Sequence, residues 1–292
     1  LILVDYPEFN LKMARHAREL GIKVLFYISP QVWAWRPKRI HKIGRLIDHM
    51  AVIFKFEKQY YEQAGIPVSV VGHPLVDKVT TDIDARKIRM DLGISPAEKV
   101  VGLFPGSRHS EISRLLPLMF ATARRMQERE PDLKFLLPVA SSLDFDELSE
   151  RSKNSGLDII VTRDEIYNVI SCCDAIATCS GTVTLEIALH NTPMCILYKM
   201  SWLSYLIMSR LITIPYIGLA NIVADKAVVK EFLQQDANPE AVSHELFELL
   251  ENRAYRDQVK QGLNQVRDNL GAGDGARTMA KLVLSLLDKQ TT

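Results

Sequence analysis

Short runs of aliphatic and β-branched residues alternate along this chain with segments whose apolar positions recur every three to four residues. These are the patterns of buried strands and amphipathic helices. The reading opens with a strand from Leu1 to Val4, a helix from Asn10 to Leu20 stopped by Gly21, a strand from Lys23 to Ile28 and a basic helix from Pro37 to Leu46. A strand from Met50 to Ile53, a helix from Glu57 to Ala64 stopped by Gly65, and a strand from Val68 to Val71 complete a first α/β block.

Gly72-His73-Pro74 then breaks the alternation, and the polar stretch that follows makes residues 79–97 the expected linker. A second block has strands at Val100 to Phe104, Lys134 to Pro138, Asp158 to Val161, Ala175 to Thr178 and Met194 to Leu197, with helices between them. After Pro239 the pattern is wholly helical. Strands separated by helical crossovers predict an α/β fold with parallel sheets covered on both faces. The longest apolar stretch, Trp202 to Ile217, contains Arg210 and falls short of the ~20 residues that span a bilayer.

A length of 292 residues suits two such domains. With 36 Lys and Arg against 35 Asp and Glu, the net charge of +1 argues against a nucleic-acid partner, so charge must act through local patches. Cys172, Cys173, Cys179 and Cys195 are too few for a disulfide scaffold and include no C-x-x-C pair; reduced, buried thiols are expected.

A doubly wound sheet presents its ligands at the carboxyl ends of its strands. After the strand ending at Phe104 comes Pro105-Gly106-Ser107-Arg108-His109-Ser110-Glu111. There Gly106 lets backbone N–H groups approach a ligand, Ser107 offers a hydroxyl, and Arg108 supplies a forked cation at a helix N-terminus, a combination suited to a diphosphate. The plainer alternative is an ordinary strand-to-helix turn, since neither the dinucleotide nor the P-loop glycine fingerprint is present. After the strand ending at Thr178 comes Ser180-Gly181-Thr182-Val183-Thr184-Leu185-Glu186. A helix opening at Gly181 would offer amides to a second anion, and Glu186 would accept from two vicinal hydroxyls, such as those of a ribose, or pair with a surface cation. Two anion-friendly turns and a hydroxyl-binding carboxylate in one domain point to a nucleotide diphosphate carrying a sugar.

The first block ends its opening strand at Asp5, a carboxylate able to take a proton from a hydroxyl nucleophile or to serve as a turn residue. Trp33, Trp35, Arg36, Lys38 and Arg39 lie in a segment with no acid between Arg36 and Arg45. Amphipathic Trp beside Lys and Arg suits a membrane surface or a phosphorylated lipid; the alternative is a solvated helix face with the tryptophans in the core. His73 bonds a substrate oxygen or braces the hinge. The glycine-rich run Gly271 to Ala276 follows helical sequence, so it reads as a helix stop and an Asp274 cap for the last helix.

The segments Val4 to Asn10, Ser29-Pro30-Gln31-Val32-Trp33-Ala34-Trp35-Arg36, Gly72 to Asp77, Leu103 to Glu111 and Ser180 to Glu186 together resemble the lipid-A-disaccharide synthases over essentially the whole chain. That resemblance implies two Rossmann-like domains of the glycosyltransferase-B type. It implies an inverting glycosyltransferase that joins UDP-2,3-diacylglucosamine to 2,3-diacylglucosamine 1-phosphate and releases UDP. By resemblance, Ser107 and Arg108 lie near the diphosphate, Ser180, Gly181 and Thr182 at the second anion turn, and Glu186 on the ribose. Asn221 falls in a segment lining the nucleotide, with Ala220 where the family has Pro, and Asp5 matches the proposed base.

No cofactor and no metal are expected, since no Asp-x-Asp pair stands at a strand end and Arg108 with helix amides would neutralise the leaving diphosphate. The resemblance further implies a peripheral enzyme on the cytoplasmic face of the inner membrane, and leaves a homodimer open. Its domains would be residues 1–78 on the acceptor side, the 79–97 linker, 98–250 for the UDP-sugar, and 251–292 as terminal helices packing back towards the first domain. The chain begins Leu-Ile-Leu-Val-Asp inside a strand, without Met, and the family's first domain opens with additional βα units. The expectation is therefore a first domain incomplete at its N-terminus. The competing readings are a nucleotide-sugar-binding protein without turnover and another glycosyltransferase-B enzyme using UDP-N-acetylglucosamine.

Overall fold

A computed structural model describes residues 1–35, 38–202, 206 and 214–288. In chain order the elements begin with β1 (Ile2–Val4), α1 (Pro7–Glu19), β2 (Leu25–Tyr27), α2 (Val32–Trp35), α3 (Arg39–Gly44), β3 (His49–Val52), α4 (Glu57–Gln63), β4 (Val68–Val70) and α5 (Pro74–Lys78). They continue with α6 (Ala85–Asp91), β5 (Val100–Phe104), α7 (His109–Arg129), β6 (Lys134–Pro138), α8 (Phe145–Asn154), β7 (Ile159–Thr162), α9 (Ile166–Cys172), β8 (Ala175–Cys179), α10 (Val183–Leu189) and β9 (Met194–Tyr198). Then follow α11 (Leu219–Ala224), β10 (Glu231–Leu233), α12 (Pro239–Glu251), α13 (Arg253–Leu270) and α14 (Gly275–Asp288).

These form two compact units. The first takes residues 1–78, the described residues within 206–215 and those from 268 onward, and holds a four-stranded parallel sheet in the order β1-β2-β3-β4. Leu3, Phe26, Met50 and Val52 from the strands meet Leu11, Ala14 and Ala17 from α1 and Ile40 and Ile43 from α3 in one core. Leu11, Ala14 and Ala17 recur every three residues, so they share one face of the helix. Here α14 returns to α5 across the length of the chain.

The second unit holds a six-stranded parallel sheet in the order β10-β9-β8-β5-β6-β7. Numbered within the unit, that is 3-2-1-4-5-6 read from the opposite edge, the doubly wound order whose direction reverses between β5 and β8. Both strands at the reversal are buried at every position, which is why Val100-Val101-Gly102-Leu103-Phe104 and Ala175-Ile176-Ala177-Thr178-Cys179 read as continuous apolar runs rather than alternating ones. The 21-residue α7 packs against β8 and α12, and its Ile112, Leu115, Leu116, Met119, Ala123 and Met126 form its buried face. Leu116 is wholly buried, and its truncation to Ala would cost about 2–5 kcal/mol.

Two expectations change. The stretch read as linker carries α6, and Arg89 fastens that helix to the second unit by donating to the Cys172 carbonyl (2.6 and 3.0 Å), the Asp174 carboxylate (2.9 Å) and the Glu98 carbonyl (3.3 Å). The basic helix expected from Pro37 to Leu46 is described from Arg39 to Gly44 as α3, and a further short helix that the sequence reading did not expect, α2, precedes it, with Arg36 and Pro37 outside the described residues. Among the described residues, no helix is long and apolar enough to cross a membrane. The apolar stretch from Trp202 to Ile217 lies mostly outside them.

Candidate functional site

At the point where strand order reverses, the turns after β5, β6, β7 and β8 enclose a cavity of about 630 Å³. The two turns singled out by sequence meet here: Gly106, Ser107 and Arg108 on one side, Ser180, Gly181, Thr182 and Glu186 on the other. Gly106 has φ 112°, a conformation natural to glycine, and a Cβ there would collide with the Glu111 carboxylate. The N–H groups of Ser107 and Arg108 both donate to Glu111 Oε2, at 3.0 and 3.2 Å, and the Arg108 guanidinium donates to Glu111 Oε1 at 3.1 Å. Apart from that bond the Arg108 side chain is largely exposed.

Across the cavity, Ser180 donates its hydroxyl proton to the Ile217 carbonyl at 3.1 Å, and α10 begins at Val183, two residues later than expected. Glu186 is half-buried, and the Tyr167 hydroxyl reaches its Oε1 at 3.4 Å. Burial and the Glu186 charge push Tyr167 up to about 12, so it stays a neutral donor. Sequence reading missed Tyr167 and also Arg163, which lines the cavity with its guanidinium 4.9 Å from the centre of the Phe145 ring. Arg163 had a legible signal, a cation directly after a strand.

Asn221 does not join this cavity. Its Nδ2 donates to the Val229 carbonyl (2.8 Å) and Glu231 Oε1 (2.7 Å), and its Oδ1 accepts from the N–H groups of Val228 and Val229 (2.9 and 3.0 Å). The amide expected to remain available to a nucleotide is buried and spent on tying α11 to β10. Glu231 also accepts from the N–H groups of Ile217 and Gly218, so this cluster fixes the loop that meets Ser180.

In the first unit, Asp5 follows β1 with its side chain exposed. Asp5 and Tyr6 both take the left-handed backbone, φ 49° and 41°. Asn10 secures this turn by donating to the Val4 and Asp5 carbonyls at 3.0 and 2.8 Å. Trp33 requires a correction: it is buried rather than presented to a lipid surface, and its indole N–H donates to Glu57 Oε1 at 3.1 Å. Glu57 is itself 1% exposed and takes the Phe54 N–H on its other oxygen. A buried carboxyl with neutral donors is costly to ionise, and burial pushes Glu57 up to about 7. Arg39 is not a free cation either, since Glu8 pairs with it at 2.7 Å. Lys38 is exposed, the Trp35 side chain is not described, and Arg36 lies outside the described residues.

His73 is buried beside Phe54, ring centres 5.1 Å apart, and its Nδ1 accepts the Leu75 N–H at 3.1 Å. That bond places the proton of the neutral ring on Nε2. Burial pushes its pKa down to about 4.

Two parallel-sheet units, one with an anion-friendly cavity at its switch point, define the glycosyltransferase-B architecture. Solved structures share that fold: S. aureus MnaA in its UDP co-structure (TM-score 0.64, 14% identity, 98% of this chain and 75% of that one) and Anabaena HepE in complex with UDP-glucose (0.59, 16%, 97% and 78%). The model of the lipid-A-disaccharide synthetase family matches residues 1–282, and the chain belongs to that family. It is 49% identical over 290 residues to the lipid-A-disaccharide synthase of Geobacter sulfurreducens, covering 99% of this chain and 76% of that one. To the Coxiella burnetii synthase (strain Dugway) it is 42% identical over 287 residues, covering 98% and 76%. The chain is accordingly a glycosyltransferase of lipid A disaccharide formation, spanning about three-quarters of the length of these relatives.

Proposed function

We propose that the protein joins UDP-2,3-diacylglucosamine to 2,3-diacylglucosamine 1-phosphate, forming the β(1→6) disaccharide 1-phosphate and UDP by direct displacement. The observation that carries this reading is the meeting of the Ser107-Arg108 and Ser180-Gly181-Thr182 turns in one cavity at the switch point. The first turn takes the diphosphate, the second offers amides to the same anion, and Glu186 accepts from the ribose hydroxyls. Asp5 removes the proton of the acceptor 6-hydroxyl as that oxygen attacks the anomeric carbon opposite UDP. Arg108 and the backbone amides stabilise the charge that develops on the leaving group, an electrostatic role suited to fixed donors.

Acceptor phosphate contact falls to the basic segment containing Arg36 and Lys38, which also suits the anionic cytoplasmic surface of the inner membrane. Asn221 serves the donor pocket only through the loop it fixes.

Incubation with both acylated substrates in mixed micelles tests this. Disaccharide 1-phosphate and UDP in equal amounts, detected by mass spectrometry, are expected. UDP binding without product would make the chain a nucleotide-sugar-binding protein, and turnover of UDP-N-acetylglucosamine with soluble sugar substrates would redirect the substrate assignment.

A further inference from the structure

The turn after β5 already holds an anion of the protein's own. One oxygen of Glu111 receives two successive backbone N–H groups, Ser107 at 3.0 Å and Arg108 at 3.2 Å, while its other oxygen receives the Arg108 guanidinium at 3.1 Å. The bond from Arg108 N–H is the ordinary capping box of α7. The bonds from Ser107 N–H and the guanidinium go beyond it, and converge as donors do around a phosphate oxygen. Glu111 also lines the cavity, and Gly106 has no side chain where that carboxylate sits.

The proposed function directs the donor's diphosphate to these same donors, and this inference rests on that reading. A carboxylate and a diphosphate cannot both take the same two backbone N–H groups at full strength, since each carries one proton, and like charges within a few ångströms repel. We propose that Glu111 is an internal competitor for the diphosphate: it swings off the Ser107 and Arg108 amides when the UDP-sugar binds and returns as UDP leaves. Its charge thereby holds donor and product affinity down. The carboxylate keeps the turn organised while the cavity is empty, and speeds release of a product more highly charged than the donor. Glu111 is thus an affinity-setting residue for the reaction.

Isothermal titration of wild type and Glu111→Gln with UDP and with uridine tests this. Gln retains an amide oxygen for the cap but loses the charge. The variant is expected to bind UDP about tenfold tighter, to bind uridine unchanged, and to show product inhibition by UDP at correspondingly lower concentration. Equal or weaker UDP binding by Glu111→Gln overturns the proposal, as does an equal gain for uridine, which has no diphosphate. Absence of UDP binding to wild type and variant alike overturns the donor-site reading itself, and this inference with it. Glu111→Ala, which removes cap and charge together, must shift UDP affinity in the same direction, measured where circular dichroism shows it folded.

Discussion

Asp77 and Gly275 are joined by a hydrogen bond of 2.9 Å across a separation of 198 residues, the Asp77 carboxylate accepting the Gly275 N–H while its other oxygen accepts the Asp274 N–H at 2.6 Å. The carboxylate caps the N-terminus of α14 from a distant part of the chain. An anion there meets both unsatisfied donors and the positive end of the helix dipole. Asp77→Ala should therefore lower unfolding free energy by about 1–2 kcal/mol, the loss typical of a helix cap, read from a urea midpoint. Asp77→Asn should recover at most part of it, because one amide oxygen cannot serve both donors.

Glu57 and His73 should tilt stability in opposite directions with pH. Native Glu57 keeps its proton up to about 7, while the unfolded chain releases it near 4.5, so its contribution falls as pH rises through that window. Native His73 stays neutral down to about 4, while the unfolded chain takes up a proton near 6.5, so its contribution grows as pH rises between those values. The stability of Glu57→Gln minus that of wild type should climb from pH 4.5 to 7, and that of His73→Asn minus wild type should decline from pH 4 to 6.5. Denaturant titrations at five pH values give both slopes; two flat difference curves would refute both assignments.

Asn221→Ala should act on stability before it acts on the nucleotide. The change orphans the N–H groups of Val228 and Val229 and removes donors from the Val229 carbonyl and Glu231. A loss on the order of 3 kcal/mol is expected, from ~1–3 kcal/mol per buried orphan after partial relaxation. Calorimetry decides it: an unchanged Tm with a raised donor KM would return Asn221 to the nucleotide.

Asp5→Asn should lower kcat by ~10²–10⁴, the range for loss of a general base, with UDP binding retained. The left-handed backbone at position 5 makes this a clean substitution, since Asn tolerates positive φ as well as any residue with a side chain. Turnover near wild type would remove Asp5 from the proton transfer.

The sheets were legible from sequence because their chemistry is local. Val100 to Phe104 is a continuous apolar run and Lys134 to Pro138 has an apolar centre at Phe135 to Leu137, and both strands have the expected bounds in the structure. Ser107, Arg108, Ser180 and Glu186 were findable for a related reason, since a parallel sheet delivers each strand-end turn to one rim. What stayed hidden depends on partners far apart in the chain. Trp33 reads as an interfacial aromatic until Glu57, 24 residues later, is seen beneath it. Arg39 reads as free until Glu8 folds against it. Gly271 to Gly275 reads as a local helix stop until Asp77 arrives from the other end of the unit. β10 was missed because Phe232-Leu233, flanked by Lys230-Glu231 and Gln234-Gln235, is a run of only two apolar residues between polar neighbours.

The four cysteines, all free and buried, have a practical consequence. Burial pushes Cys179 up to about 12 and raises the thiols of Cys172, Cys173 and Cys195 as well, so none presents a thiolate to a reagent in solution. Slow reaction of the native protein with maleimides and disulfides is therefore expected, with Cys179, which lines the cavity, the first to label. A single cysteine placed on the surface becomes a unique attachment point for a fluorophore or spin label, and wild-type labelling becomes a clock for the opening of the second unit, where all four reside.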